Sequence, residues 1–576
     1  MKVILAKNAG FCMGVRRAVE TTLDIVNREE GDVATFGPLI HNPQVLGLLR
    51  ERGVRVLDEP PARGAGNIVI RAHGVPPEQK RRLEQSGARI LDATCPHVVK
   101  VQVIIRKYRD QGYATVIIGD RNHAEVEGLM GFAGEMGRVV SSEEDARDLE
   151  LRGPYIIVSQ TTQDEAIFER LTRIILERHP GGKLFNTICD ATHKRQEEVR
   201  ELSARVGAVV VVGGRASANT QRLGEIATAM GRPVFLVETE AELDLAALSR
   251  FDRVGVTAGA STPTWMINRI VRTLEAIPVR DEGRLRAMFF KSIWLMLTTS
   301  LFVSLGGGLL TYVCALLQSM PPRLVHVVIS FSYLYAMHNL NRFIDQRLKK
   351  FHDPLRDHFY RRNRWFVPSS SVLCLLLALS LTIGLGLKPF FLLLGMSILG
   401  VLYSVRLIPK WLAPMVRVRG LKEIPGSKTF FVAMAWALVT TLIPAWSNNG
   451  HAGPATLSTL VVVLLLVFAR SNLFDVFEVQ GDRLVGKETL PVCIGERMTL
   501  TFLTLLSGVL ILLLVALPLL GLVDVTAFWL IPGVLYLLVV TRLYERGLVH
   551  QGPKLELALD MVFPIMAGLA GLGSLL

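Results

Sequence analysis

The 576-residue sequence has only six cysteines, and two of them, Cys314 and Cys374, lie in long apolar segments. So few cysteines argue against a disulfide framework and leave the others as thiols available for metal binding or catalysis. Residues 1–11 also lack the basic stretch and sustained apolar core of a signal peptide. We therefore expect the first half of the chain to remain in the cytoplasm.

The charge pattern argues against a nucleic-acid partner, although the net charge is +13. Many basic residues lie in short loops between apolar segments, a placement that membrane topology explains. The composition also changes along the chain. Up to about Pro278, charged residues and glycines alternate with short apolar runs, and beyond about Met288 long apolar stretches dominate. We predict a soluble domain over 1–280, a basic juxtamembrane linker over 281–290 and a membrane domain over 291–576.

Three stretches of the first half share one pattern. Cys12, Cys95 and Cys189 each precede a predicted helix start, and Pro96 occupies a favoured first-turn position. A polar loop follows each cysteine 28 or 29 residues later, and a second polar loop follows another apolar strand-like run. The side chains in these loops are His41 and His73, then His123 and Thr161, then Ser217, Asn219 and Ser261.

This repetition predicts an α/β fold of three pseudo-repeated units around a central cluster, because ligands bind where parallel strands end. Three thiolates without a fourth suit an iron–sulfur cluster with one incompletely ligated iron, since such clusters usually have four thiolate ligands. Zinc is the rival metal, but it requires a fourth protein ligand or a water. The imidazoles, hydroxyls and amide of the loops suit a bound diphosphate, as do the helix N-termini.

The motifs of the first half resemble those of the 4-hydroxy-3-methylbut-2-enyl diphosphate reductase (LytB/IspH) family, in family order over about residues 1–277. The matching segments are 10–15, 72–75, 92–96, 125–128, 160–162, 188–192, 195–196 and 257–261. Ala124 and Ala218 depart from the family pattern, which leaves the number of hydrogen bonds to the diphosphate open.

The resemblance implies an oxidoreductase whose substrate loses its allylic hydroxyl as water, giving isopentenyl and dimethylallyl diphosphates. It implies that Cys12, Cys95 and Cys189 hold a 4Fe–4S cluster, whose unique iron binds that hydroxyl. Glu125 would deliver a proton and Thr161 would orient the hydroxyl. The expected electron donor is a ferredoxin or flavodoxin. The implied diphosphate ligands are His41, His73, His123, Ser217, Asn219 and Ser261.

The second half contains nine apolar segments near the length needed to cross a bilayer. Alternate loops are rich in lysine and arginine, whereas residues 447–456 have neither. This positive-inside pattern predicts a multi-pass inner-membrane protein, an all-α bundle of about nine spans whose reductase domain is cytoplasmic. Basic residues near the boundary would contact anionic membrane lipid. The predicted segments are 289–317, 324–341, 366–387, 389–405, 428–446, 455–474, 498–521, 525–541 and 556–576.

Two acidic patches stand at predicted cytoplasmic helix ends. Their spacing of three and four residues places each patch on one helix face, where two patches could hold Mg²⁺ ions that bridge a diphosphate. The patches consist of Asn341 with Asp345, and of Asp475 with Glu478 and Asp482.

Residues 402–404, 422–425, 474–483 and 486–491 resemble the UbiA-type intramembrane prenyltransferases over about residues 290–576. The resemblance implies Mg²⁺-dependent prenyl transfer from a prenyl diphosphate, assisted by Lys422 or Lys428. The first acidic motif departs from the family, since Arg342 and Lys349 stand at positions that are often acidic. These residues either bind the diphosphate directly or indicate a loss of activity.

Three hypotheses therefore stand: a bifunctional enzyme, a reductase with an inactive membrane half that anchors it or binds a prenyl lipid, and a tethered electron carrier. The polar loops and Glu125 argue against the electron carrier, which needs neither.

Overall fold

The computed structural model describes residues 1–28, 31–62, 66–277, 284–344, 359–404, 426–485, 489–546, 549 and 552–575. Within it the chain divides into two units, Met1–Arg280 and Asp281–Leu576. Three residues singled out above, Asp345, Lys349 and Lys422, lie outside the described residues, as does the start of the predicted linker at 281–283.

Twelve parallel strands form three four-stranded sheets in the N-terminal unit, with the orders β3-β2-β4-β5, β7-β6-β8-β9 and β11-β10-β12-β1. The order is the same in each sheet, so the predicted threefold repetition is confirmed. The strands are β1 (Lys2–Leu5), β2 (Val33–Phe36), β3 (Arg55–Leu57), β4 (Asn67–Ile70), β5 (Arg89–Asp92), β6 (Ala114–Ile118), β7 (Gly137–Val140), β8 (Tyr155–Ser159), β9 (Lys183–Leu184), β10 (Ala208–Val212), β11 (Val234–Val237) and β12 (Arg253–Ala258).

Ten α-helices lie between these strands, since parallel pairing requires crossover connections, and an eleventh follows β12. They are α1 (Met13–Asn27), α2 (Pro43–Glu51), α3 (Pro77–Gln85), α4 (Pro96–Arg109), α5 (Ala124–Ala133), α6 (Glu143–Arg147), α7 (Glu165–Arg178), α8 (Asp190–Arg205), α9 (Ala218–Ala229), α10 (Leu245–Leu248) and α11 (Thr264–Glu275). Two short 3-10 helices, Gly134–Met136 and Glu240–Glu242, complete the unit.

The strand β10 illustrates why the central strands are continuous apolar runs. Val210 and Val212 pack against Ile267 of α11 on one face of the sheet, and Val209 and Val211 pack against residues of α8 and α9 on the other. Successive side chains of a strand point to opposite faces, and helices cover both faces of parallel sheets. All five residues of β10 are consequently buried.

The C-terminal unit is helical throughout its described elements. The helices are α12 (Arg284–Thr298), α13 (Leu301–Leu317), α14 (Leu324–Ile344), α15 (Phe366–Leu385), α16 (Leu387–Ser404), α17 (Ser427–Asn449), α18 (Pro454–Val485), α19 (Leu490–Ile494), α20 (Glu496–Leu519), α21 (Ile531–Glu545), α22 (Pro553–Asp560) and α23 (Val562–Gly573), with a 3-10 helix at Val525–Leu530 before α21.

The prediction of nine membrane spans is not confirmed. Among the described residues, six helices are long and apolar enough to cross a bilayer, or seven if the pair Ser292–Thr298 and Leu301–Leu317, bent by 77°, is one span. The predicted segments near 324–341 and 389–405 are helical but fall outside this count. The polar side chains of His338, Asn339, Asn341 and Arg342 lower the mean hydropathy of α14, and the apolar part of α16 is short.

Candidate active site

Each of the three cysteines occupies the N-cap position of a helix. These helices follow β1, β5 and β9, which are equivalent edge strands of the three sheets. Cys12 precedes α1, Cys95 precedes α4 and Cys189 precedes α8. All three are partly buried and line one cavity. A Cβ atom at Gly14 would lie 2.4 Å from Cys95 Sγ, so only glycine permits this approach of α1 to the second cysteine.

The electrostatics of the thiols suit a bound cation. Burial raises the pKa of Cys95 and Cys189, and the neighbouring Cys12 adds to the effect. Bringing three thiolates together therefore costs free energy unless a positive group offsets it, as a metal centre does. Three sulfur donors with an open side toward the polar loops fit a cluster that keeps one coordination position free.

The three histidines meet at the same cavity from the loops after β2, β4 and β6. Their ring centroids lie 4.6 Å (His41–His73), 5.6 Å (His41–His123) and 5.3 Å (His73–His123) apart. Burial lowers the pKa of His41, holds that of His73 well below its ordinary value and lowers that of His123 to about 4, and the nearby Arg71 lowers all three further. The rings are therefore neutral near pH 7.

The hydrogen bonds of the rings favour an anion over a metal ion. One nitrogen from each ring lies within 4.8 Å of the others, a spacing that a divalent metal could draw together. However, His123 Nδ1 accepts the Glu125 backbone N–H at 3.2 Å, so the proton of its neutral ring lies on Nε2, which then donates. In the described part of the chain, His41 Nε2 and His73 Nδ1 are buried without a hydrogen-bond partner, which suits a bound diphosphate.

The remaining predicted polar residues complete the lining of this cavity. Ser217 caps α9 and its Oγ accepts the Thr220 N–H at 3.4 Å, whereas Ser261 Oγ donates to the His41 carbonyl at 3.0 Å. The buried Nδ2 of Asn219 has no partner among the described residues. An unsatisfied buried donor costs free energy, and a bound phosphate oxygen would remove that cost.

Glu125 and Thr161 form a buried pair on the same cavity. The Thr161 backbone N–H donates to Glu125 Oε1 at 2.7 Å, and Thr161 Oγ1 donates to Glu125 Oε2 at 2.8 Å. Glu125 is 2% exposed. Burial raises the pKa of Glu125 to about 7, although the hydrogen bonds from Thr161 oppose the shift. This carboxyl can therefore hold a proton near neutral pH, as a general acid must.

Two arginines near the cavity carry roles that the sequence analysis did not assign. Arg195 lines the cavity and is 5% exposed, and its guanidinium donates to the Gly10 carbonyl at 2.6 Å. Its positive charge lies near Cys12 and Cys189. Arg71 pairs with Glu127 at 3.2 Å beside the histidines. The only sequence signal for Arg195 is its place within the family motif at 195–196, and the only one for Arg71 is its place directly before the motif at 72–75.

The C-terminal unit contains a largely apolar cavity of about 150 Å³. Asn341 of α14 and Lys428 of α17 line it, with Trp436 two turns further along α17. Asp475 of α18 accepts a hydrogen bond from Thr429 Oγ1 at 2.5 Å, next to Lys428 in the sequence. The structure thus brings Asp475 close to one end of this cavity.

The other acidic residues of α18 differ in their surroundings. Asp482 is buried and Glu478 is exposed, and both interact electrostatically with Asp475, as does Lys428. Arg342 is half-buried at the end of α14. One further charged pair was not predicted: Arg470 is buried with Asp560, and its guanidinium lies 4.3 Å from the centre of the Phe474 ring. The sequence signal for this pair is Arg470 itself, a single charged residue within the apolar segment 455–474.

Comparisons with known proteins agree with the division into two units. Residues 3–275 match the family model described as LytB protein, and residues 364–552 match the UbiA prenyltransferase family. The 4-hydroxy-3-methylbut-2-enyl diphosphate reductase of Pelobacter propionicus is 42% identical over 274 residues, covering 47% of this chain and 96% of the relative.

Solved structures also match each unit. A structure of (E)-4-hydroxy-3-methyl-but-2-enyl diphosphate reductase, the terminal enzyme of the non-mevalonate pathway, is 36% identical and covers 48% of this chain and all of its own, with a TM-score of 0.40. A UbiA homolog from Archaeoglobus fulgidus bound to GPP and Mg²⁺ is 17% identical and covers 48% of this chain and 98% of its own, with a TM-score of 0.36.

The fold and its cavity define an oxidoreductase with an α/β catalytic unit, joined to a helical membrane unit. The chain belongs to the 4-hydroxy-3-methylbut-2-enyl diphosphate reductase family, in which it is a fusion with a C-terminal UbiA prenyltransferase-family domain.

Proposed function

We propose that the N-terminal unit converts 4-hydroxy-3-methylbut-2-enyl diphosphate to isopentenyl and dimethylallyl diphosphates. Two electrons and two protons enter, the allylic C–O bond breaks and water leaves. The observation that carries the proposal is one cavity that joins three thiols, a neutral histidine group and a buried acid. The 42% identity to a relative of that name supports the same substrate.

The residues divide into three roles. Cys12, Cys95 and Cys189 would hold a 4Fe–4S cluster, which supplies the electrons and a Lewis-acidic site for the hydroxyl. The diphosphate would accept hydrogen bonds from six polar residues of this cavity, several of which lack partners or cap helices, whose N-termini favour anions. These residues are His41, His73, His123, Ser217, Asn219 and Ser261.

Glu125 and Thr161 would deliver one of the two protons, the one that leaves with the hydroxyl oxygen as water. The protonated Glu125 carboxyl delivers it to the departing oxygen, and Thr161 Oγ1, which lies 2.8 Å from that carboxyl, orients the substrate hydroxyl toward it. Both residues are buried, so bulk water does not compete for the transfer.

We expect reductase turnover to fall as the pH rises through about 7, because the raised pKa of Glu125 means that its proton is lost there. The Thr161→Val variant lacks the hydroxyl hydrogen bond that lowers this pKa, so its falling limb should move to higher pH. The Thr161→Ser variant, which keeps the hydroxyl, is the matched control. Rate profiles with a small-molecule reductant would test this, and a limb that stays in place in Thr161→Val would contradict it.

The experiment that tests the reductase proposal is anaerobic purification of the full chain, with iron and sulfide counts and an assay with a low-potential donor. About four irons per chain and conversion of the hydroxymethylbutenyl substrate are expected. Iron without turnover would favour the tethered electron carrier, and zinc in place of iron would refute the proposal.

For the membrane unit we propose Mg²⁺-dependent transfer of a prenyl group from a prenyl diphosphate to an acceptor. Two features support it: the UbiA-family match and the acidic residues of α18 beside a cavity lined by Lys428. Carboxylates here would hold Mg²⁺ against the diphosphate. These carboxylates are Asp475, Glu478 and Asp482. We propose Asn341 and Asp345 as further metal ligands. The proposed diphosphate ligands are Arg342, Lys422 and Lys428.

The alternative is a membrane half that only anchors the reductase or binds a prenyl lipid. It rests on Arg342 and Lys349, which stand at positions that are often acidic in the family. In either case we propose an inner-membrane location with the reductase unit in the cytoplasm, because the basic loops alternate along the chain.

Replacing Asp475 with asparagine is expected to lower Mg²⁺-dependent release of pyrophosphate from a prenyl diphosphate by about 10²-fold, the scale of one lost electrostatic contact to a developing charge. Water can take up the prenyl group in place of the acceptor, so pyrophosphate release can be measured before the acceptor is known. The control is Glu545→Gln, a carboxylate paired with the exposed Arg542. Tight binding of the prenyl diphosphate without release, in the wild type, would support the alternative.

A further inference from the structure

The reductase reaction needs two electrons from outside the protein, and the structure contains one surface suited to their donor. The helices α1 and α4 begin at Cys12 and Cys95, and their first turns are in contact through Gly14 and Cys95. The outward side of the first two turns of each helix carries both exposed apolar and exposed basic side chains. We call this surface the cysteine patch; its residues are Met13, Arg16, Arg17, Val99, Lys100 and Val103.

The apolar part of the cysteine patch is unusually exposed. Met13 is 58% exposed, more than any other large apolar side chain described in residues 1–277, and it directly follows Cys12. Val99 and Val103, one turn apart on α4, are 39% and 47% exposed. Exposed apolar groups ringed by charge are typical of protein interaction sites.

The charge of the cysteine patch is positive. The first turns of α1 and α4 contain no acidic residue. Within the described chain, Arg16, Arg17 and Lys100 are exposed and form no ion pair. The third cysteine helix differs, because Asp190 opens α8 and His193 contacts Glu165 at 2.8 Å. The positive charge is therefore concentrated at two of the three cysteines.

We propose that the cysteine patch is the docking surface for a small acidic one-electron carrier protein. Charge complementarity supports this partner, since opposite charges steer association and raise the encounter rate. Redox partners typically form small, transient interfaces, which a patch of this size can provide. Docking here places the carrier one residue from Cys12 and about one helical turn from Cys95. Each of two successive encounters then delivers one electron. The inference rests on the proposed reductase function.

The test compares two electron donors on the full chain in nanodiscs. Reduced flavodoxin is the acidic protein probe, and dithionite with methyl viologen is a small donor that needs no docking. The variant is R16E/R17E/K100E. The control is R173E/R178E, which reverses two exposed positive charges in the second half of α7. Neither residue belongs to the cysteine patch.

We expect kcat/KM for flavodoxin to fall at least about tenfold in R16E/R17E/K100E, as reversal of steering charges does, while turnover with viologen and the iron content stay at wild-type values. The control should match the wild type with both donors. Added salt should slow the wild type with flavodoxin and leave the variant little changed, because salt screens exposed charges.

Equal flavodoxin kinetics in the variant and the control would overturn the proposal, as would equal losses with both donors at unchanged iron content. A loss that appears only in nanodiscs of anionic lipid would overturn it in favour of a lipid surface. If the wild type turns over with neither donor, the reductase proposal fails; direct titration of flavodoxin against the wild type and R16E/R17E/K100E still decides the docking surface.

Discussion

Replacing Cys189 with serine is expected to abolish reductase turnover and to remove most of the iron from the protein. Cys189 caps α8 and contributes one of the three thiols at the cavity. A serine hydroxyl is a far weaker ligand for iron than a thiolate, because it keeps its proton at neutral pH. With two thiolates left, the proposed cluster would have two incompletely ligated irons and would be readily lost.

The measurement is an anaerobic iron and sulfide count together with turnover of the hydroxymethylbutenyl substrate. The matched control is Cys493→Ser in the membrane unit, where the cysteine is exposed and lies in α19, outside the N-terminal unit; it should keep about four irons and full activity. Full iron and full turnover in Cys189→Ser would refute the assignment of this thiol as a ligand.

Replacing Glu125 with glutamine is expected to lower kcat by about 10²- to 10⁴-fold, the range of a lost general acid, while the iron content stays unchanged. Glutamine keeps the volume of the side chain and one acceptor for Thr161, but it has no proton to deliver. The falling limb of the pH profile near 7 should also disappear, since the group that titrates there is gone.

The control for this variant is Glu135→Gln, an exposed carboxylate beyond the end of the same helix. A second variant, Glu125→Asp, keeps the acid but shortens its reach, and it should retain more activity than the glutamine variant. Wild-type kcat with a preserved pH limb in Glu125→Gln would show that another group delivers the proton.

The agreement between sequence and structure is closest where a local pattern carries the information. Cys12, Cys95 and Cys189 were expected at helix starts, and each caps a helix. The polar residues expected after strands all line one cavity. Strand ends and helix starts depend on short stretches of sequence, so repetition of the same stretch three times makes the prediction secure.

The membrane unit was less predictable, because hydropathy alone does not separate a span from a buried or bent helix. The break between Thr298 and Leu301 turns one predicted span into two helices at 77°. The partnership of Arg470 with Asp560 joins residues 90 positions apart, and no local pattern links them.

The order of residues is sufficient to indicate the class of chemistry, since the three equivalent cysteines and their polar loops can be read from it. The behaviour of these groups depends on the folded chain. The tertiary structure placed the first strand, β1, beside β12 to complete the third sheet. It also buried Glu125 and the histidines, which moves their pKa values in opposite directions. Burial and long-range strand pairing depend on residues far apart in the chain, and a protonation state follows from those surroundings rather than from the residue type.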